Sequence, residues 1–80
     1  MSDIGRFVWN GSSAYLEYAA DLENGIFTIE NMDAVGYAFL NSLEVGKTII
    51  LQKANIEGLS LEVIDLHRGI SYIRCQAKAV

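Results

Sequence analysis

Between Lys47 and Lys78 the chain runs through three stretches rich in β-branched and aliphatic residues, separated by two short glycine-containing breaks. The first stretch opens at Lys47-Thr48-Ile49-Ile50-Leu51 and continues to Ile56; the second is Leu59 to Leu66; the third is Ile70 to Lys78. Glu57-Gly58 and His67-Arg68-Gly69 divide them. Branched side chains are stiff about χ1 and fit a pleated surface, so runs of this length bounded by glycine turns predict a three-stranded antiparallel meander over 47–79. The alternation of apolar and polar residues slips at Val63-Ile64 and again at Tyr72-Ile73. Facing each other across the His67-Arg68-Gly69 turn, these slips predict either a β-bulge or a stretch buried on both faces. The second would need another layer, such as a dimer partner.

Upstream, Arg6-Phe7-Val8-Trp9 is followed by Asn10-Gly11, a strong turn signal, which predicts a first strand at about 5–9. Residues 14–23 read two ways. Tyr15, Tyr18, Ala19 and Leu22 fit a helical face, whereas Leu16, Tyr18, Ala20 and Leu22 fit one face of a strand. The tyrosine-rich composition and the two flanking Asn-Gly pairs favour the strand, with Asn24-Gly25 turning into Ile26–Ile29. From Asn31 to Glu44, Met32, Val35, Phe39 and Leu43 recur at helical spacing; Asn31 or Asp33 can cap the start and Gly46 follows as a stop. Gly36 inside this helix costs about 1 kcal/mol against alanine, which close packing on a sheet would explain. The predicted fold class is α+β: an antiparallel sheet of about five to six strands with one helix (about 32–44) packed on it, in a single compact domain over 1–80.

Eighty residues bury a modest core, and this chain is 51% hydrophobic with a mean hydropathy of +0.23. One cysteine excludes an internal disulfide, and one histidine excludes most metal-site spacings. No metal or cofactor is therefore expected. Oligomerisation is the remaining source of extra stability, so a homodimer is expected. The start Met1-Ser2-Asp3-Ile4-Gly5 has no basic or apolar leader, and no apolar run reaches the roughly 18 residues of a membrane span. The expected location is cytoplasmic, which suits a lone reduced thiol.

Catalytic motifs fail on inspection. Gly46-Lys47-Thr48 resembles the end of a phosphate-binding loop, but position 41 is Asn where glycine is needed, and a helix precedes it while a strand follows. His67 could pair with Asp65, two residues away on the same strand face, but no nucleophile elbow completes a triad. His67-Arg68-Gly69 reads more simply as a solvated turn, and Cys75 as a buried, inert thiol. The aromatic residues are core or interface candidates; stacking on bases goes with a basic surface, and this chain has a net charge of −4, so direct nucleic-acid binding is disfavoured. No enzymatic activity is expected.

Charge is unevenly spread. Residues 1–46 carry seven acidic residues against Arg6 alone, while 47–80 carry five basic residues against three acidic. An acidic patch formed by Glu17, Asp21, Glu23, Glu30 and Asp33 would steer the protein onto a basic surface, and nucleic-acid-binding channels are the commonest strongly basic surfaces in cells. The competing reading is a solvated face that keeps an apolar chain dispersed. In size, acidity and lack of catalytic motif the chain resembles the small phage-encoded inhibitors of bacterial defence, the anti-CRISPR proteins. The resemblance carries no residue roles. It implies steric or electrostatic blocking of DNA or RNA access to a CRISPR effector complex, by a monomer or homodimer in the host cytoplasm. Two alternatives stand beside it: a small-molecule or catalytic pocket between helix and sheet using Tyr18, Tyr37, His67 and Tyr72, and a structural phage subunit.

Overall fold

Asn10 and Gly11 both take positive φ, 49° and 78°, the geometry of the two-residue turn whose twist matches a β-hairpin. They join β1 (Asp3–Trp9) to β2 (Ser12–Asp21), with Trp9 opposite Ser12 and Asp3 opposite Tyr18. Residues 14–23 are thus mainly strand. The computed structural model describes residues 2–53 and 56–80. Along β2, Ala14, Leu16 and Tyr18 point inward and Ser13, Tyr15 and Glu17 outward, the two-residue period of a half-buried strand.

The second hairpin turns at Leu22–Gly25, because Asp21 is opposite Ile26 at the start of β3 (Ile26–Asn31). This loop is longer than an Asn24-Gly25 turn alone. Asp21 holds it from inside: its carboxylate accepts from the Asn24 side-chain amide at 2.7 Å and from the Asn24 backbone N–H at 3.3 Å.

After β3 the chain forms α1 (Ala34–Asn41), shorter than the predicted 32–44. Asp33 is the N-cap, accepting from the Gly36 N–H at 2.8 Å. At the other end the Ser42 hydroxyl donates to the Phe39 carbonyl at 2.7 Å, and Arg68 donates to the Leu43 carbonyl at 2.7 Å. These bonds satisfy carbonyls that a longer helix would have used itself. The inward face is Gly36, Phe39 and Leu40, with Leu43 beyond it; Met32 and Val35, expected on that face, are exposed. Gly36 has the predicted reason, since a Cβ there would lie 2.8 Å from Leu16 Cδ2.

The three C-terminal strands, β4 (Thr48–Lys53), β5 (Ile56–Arg68) and β6 (Ile73–Ala79), pair as an antiparallel meander with β5 in the middle. Glu57 and Gly58 belong to β5 rather than to a turn, and Asn55, read as a polar strand position, lies outside the described residues. The second turn is also displaced. Arg68 pairs with Ile73, and the Gly69 N–H donates to the Tyr72 carbonyl at 2.8 Å, so His67 and Arg68 are strand residues. The register shifts between Val63 and Asp65, as a bulge at Val63-Ile64 requires, and within the single chain Ile64 is partly exposed.

The predicted open sheet with a helix lying on it is incorrect. β3 pairs with β6, and β1 pairs with β4 through Arg6–Gln52, Phe7–Leu51 and Val8–Ile50. These contacts close six antiparallel strands into a barrel in the order β1-β2-β3-β6-β5-β4. A strand with one buried face has the same pattern in an open sheet and in a barrel; closure depends on which strands meet at the seam. The bore holds Phe7, Leu16, Ile29, Ile49, Leu61, Val63, Ile73 and Cys75, all fully buried. α1 packs against β2, β3 and β6 and closes one end with Phe39, Leu40 and Leu43. The other end, where β1 starts and β2 finishes, has no such cover among the described residues.

Candidate binding surface

The five acidic residues do not meet at one point. Glu17 on β2 and Glu30 on β3 are directly opposite each other on the outer wall. With Ser2, Ala19 and Thr28 they line a cleft of about 90 Å³. Like charges facing across strands destabilise a sheet, and no ion pair of either glutamate forms among the described residues. Arg74, on the far side of Glu30, is the nearest base along that row of the sheet. Asp21 ends the same strand, roughly 13 Å from Glu17 along the chain. Glu23 is exposed in the loop that follows. The Asn24 side-chain amide, and then its backbone N–H, hold the Asp21 carboxyl below its ordinary value of 3.8. Asp33 lies at the helix-covered end, its carboxylate engaged as the cap. Four of the five predicted residues therefore share the β2–β3 hairpin, and the fifth serves the helix.

Arg6, the base of the acidic half, is occupied elsewhere. Its guanidinium donates to Gln52 Oε1 at 2.6 Å and to Ser13 Oγ at 3.2 Å, tying β1 to both neighbours on the outer wall.

The pocket residues of the alternative reading are scattered. Tyr37 donates its hydroxyl to the Gly69 carbonyl at 3.0 Å, bracing the helix against the β5–β6 turn. His67 and Tyr72 place their rings 6.1 Å apart beside that turn, while Tyr18 is in the bore at the uncovered end. Phe39, Leu40 and Leu43 fill the space between helix and strands, so no helix–sheet pocket unites the four. Gly46 has φ 95° and leads into β4, where its N–H donates to the Val63 carbonyl at 2.8 Å, a strand entry rather than a phosphate loop. Cys75 is fully buried, and burial, with a smaller contribution from Asp65, pushes its thiol up to about 12. A thiol held so firmly protonated is a poor nucleophile. Among the described residues, no three His, Cys, Asp or Glu side chains are grouped to hold a metal ion, and no helix is long and apolar enough to cross a membrane.

Sequence reasoning missed the uncovered barrel end. Tyr18, Ala20, Leu22, Phe27, Leu51 and Leu59 line a cavity there of about 340 Å³, with Asp3 beside them. Gly5 lets two of these side chains pack closely onto β1: a Cβ there would lie 2.5 Å from Leu51 Cδ1 and 3.0 Å from Tyr18 Cε1. The signal present in the sequence was Leu22, an apolar residue between Asp21 and Glu23 that continues the inward face past the end of the strand. It is 82% exposed.

No family model, curated protein or solved structure matches the chain.

Proposed function

We propose that the protein is a non-enzymatic binding protein that inhibits a larger partner in the cytoplasm by occupying a basic, nucleic-acid-binding surface; a CRISPR effector complex is the partner class to test first. The reading rests on the Glu17–Glu30 pair. Two carboxylates held face to face on an exposed wall weaken the free protein, and a Lys or Arg inserted between them would relieve that repulsion. Asp21 and Glu23 extend the negative potential to the barrel rim, which would steer association and make it fall with rising salt. Exposed Ile64 and Tyr72, at the two phase slips of the meander, offer a contact for a second copy in the expected homodimer.

The test is inhibition of DNA targeting across a panel of CRISPR effectors, with the natural sequence compared with the Glu17→Gln/Glu30→Gln double variant. Neutralising both carboxylates relieves their repulsion and neither has an ion pair to lose, so the melting temperature should hold or rise while inhibition disappears. A double variant that still inhibits would remove the acidic wall from the mechanism. A natural sequence that inhibits no effector would remove the CRISPR reading. Reversal of Asp21 is a poorer probe because its carboxylate also holds the hairpin loop.

A further inference from the structure

Ile70 is fully exposed on the turn between β5 and β6, where polar residues and glycine are the rule. The turn is firmly held. The Gly69 N–H donates to the Tyr72 carbonyl at 2.8 Å, and the Tyr37 hydroxyl to the Gly69 carbonyl at 3.0 Å. The Asn31 side chain accepts from the Ile73 N–H at 2.7 Å and donates to the Ser71 carbonyl at 3.4 Å. Beside Ile70 runs a groove of about 400 Å³, whose opposite wall includes Met32, Ala34 and Tyr37; Met32 is exposed as well. An apolar knob and an apolar groove thus stand side by side, both in place before anything binds.

Charge divides along the same line. On the Met32 wall, residues 26–41 include Glu30 and Asp33 and no basic residue. On the Ile70 wall, residues 66–80 include His67, Arg68, Arg74 and Lys78 and no acidic residue. Arg68 reaches away to the Leu43 carbonyl, which leaves His67 and Arg74, paired across β5 and β6, beside the turn. Glu30 and Arg74 are neighbours across β3 and β6 but form no ion pair among the described residues. Asp33 lines the groove and accepts from the Gly36 N–H, and a carboxylate keeps further acceptor positions for a partner's donor. A two-fold axis running along the groove lays each wall on the opposite wall of a second copy. That one operation puts knob into groove and base against acid, twice over. Because knob and groove adjoin, the exchange closes on itself and does not grow into a filament. We propose that the protein forms a two-fold homodimer at its helix-covered end, with Ile70 of each copy seated in the groove of the other. The inference rests on the homodimer named above, whose contact at Tyr72 it continues, and not on inhibition.

The experiment is sedimentation of the full chain from about 1 to 200 µM at low salt, with dissociation expected in the micromolar range. Ile70→Ser should weaken the dimer about 100-fold, since the contact uses this residue twice. The side chain is solvated in the single chain, so the circular dichroism spectrum of the variant should be unchanged. When Met32→Cys and Ile70→Cys proteins are mixed and oxidised, a disulfide-linked mixed pair should form faster than between Met32→Cys and Ile4→Cys, which lies at the other end of the barrel. Added salt should weaken the dimer. A monomer at about 200 µM would leave the groove to a different protein or a small ligand and overturn the proposal. So would an undiminished dimer in the Ile70→Ser protein, equal crosslinking of the two mixed pairs, or a dimer that tightens with salt. Sedimentation reads the dimer directly and Ile70→Ser leaves Glu17 and Glu30 in place, so failure of the dimer and failure of the inhibitory reading are separate results.

Discussion

The two ends of this barrel solve the same problem differently. Any short barrel leaves apolar side chains facing water at both mouths. At one end, Asp33 starts a helix that places Phe39, Leu40 and Leu43 over the bore, and all three are buried. At the other, among the described residues, Tyr18 and Phe27 lie below a cavity edged by Asp3 and Leu22 with no helix over it. The closed end contributes stability through burial, at about 25 cal/mol per Å² of apolar surface. The other end leaves that gain unused at Leu22 and Leu59, while Tyr18, Phe27 and Leu51 are buried.

Substitutions can break or sharpen this contrast. The largest effect is expected for Leu40→Ala, which empties a fully buried position in the helical cover; the loss should be about 2–5 kcal/mol, read by urea denaturation. A loss below about 1 kcal/mol would mean that the helix does not close that end firmly.

Next comes the bore between the ends, probed through Cys75. Its thiol ordinarily titrates near 9.0 but is pushed up to about 12 in the fold. The unfolded chain therefore releases this proton first. The contribution to stability is complete below about pH 9 and is lost as pH rises toward about 12, at up to about 1.4 kcal/mol per pH unit. Between about pH 8 and 10, the natural sequence should lose on the order of 1 kcal/mol more than Cys75→Ala, with tyrosines and lysines common to both. Parallel pH profiles would show that water enters through the open mouth as far as Cys75.

Asp33→Ala should cost about 1 kcal/mol by removing the cap while leaving Phe39, Leu40 and Leu43 in place, which separates the helix start from its packing. The smallest effect is expected at the open end: Leu22→Ser should shift stability by no more than about 0.5 kcal/mol, since the side chain is largely in solvent already. A loss near that of Leu40→Ala would make the two ends equivalent.

Much of the local structure was legible from single residues. Asn10-Gly11 marked a turn, the alternation around Leu16 and Tyr18 marked an inward face, and Gly36 marked a close approach. Errors arose where two elements compete for the same residues. His67-Arg68-Gly69 looked like a turn, yet His67 and Arg68 remain in the ladder opposite Arg74 and Ile73 and the chain reverses beyond them. Met32 and Val35 kept helical spacing with Phe39, yet the cap at Asp33 starts the helix after Met32 and its packing turns the Gly36–Phe39–Leu40 face inward. The acidic residues were legible as charges but not as places. Pairing alone sets Glu17 opposite Glu30, and a hydrogen bond decides for Asp33 over Asn31 as the helix cap.

By itself, the amino-acid sequence determined which segments extend, which side of most strands faces inward, where the first hairpin turns, and that the chain carries an acidic half. These properties depend on neighbours a few residues apart. Tertiary structure decided that the sheet closes, which end the helix covers and that a cavity remains at the other. The reason is physical: one buried face per strand is satisfied equally by a helix laid across an open sheet or by the far side of a barrel. The choice is made by contacts such as Arg6 with Gln52, 46 residues apart, that no local pattern records.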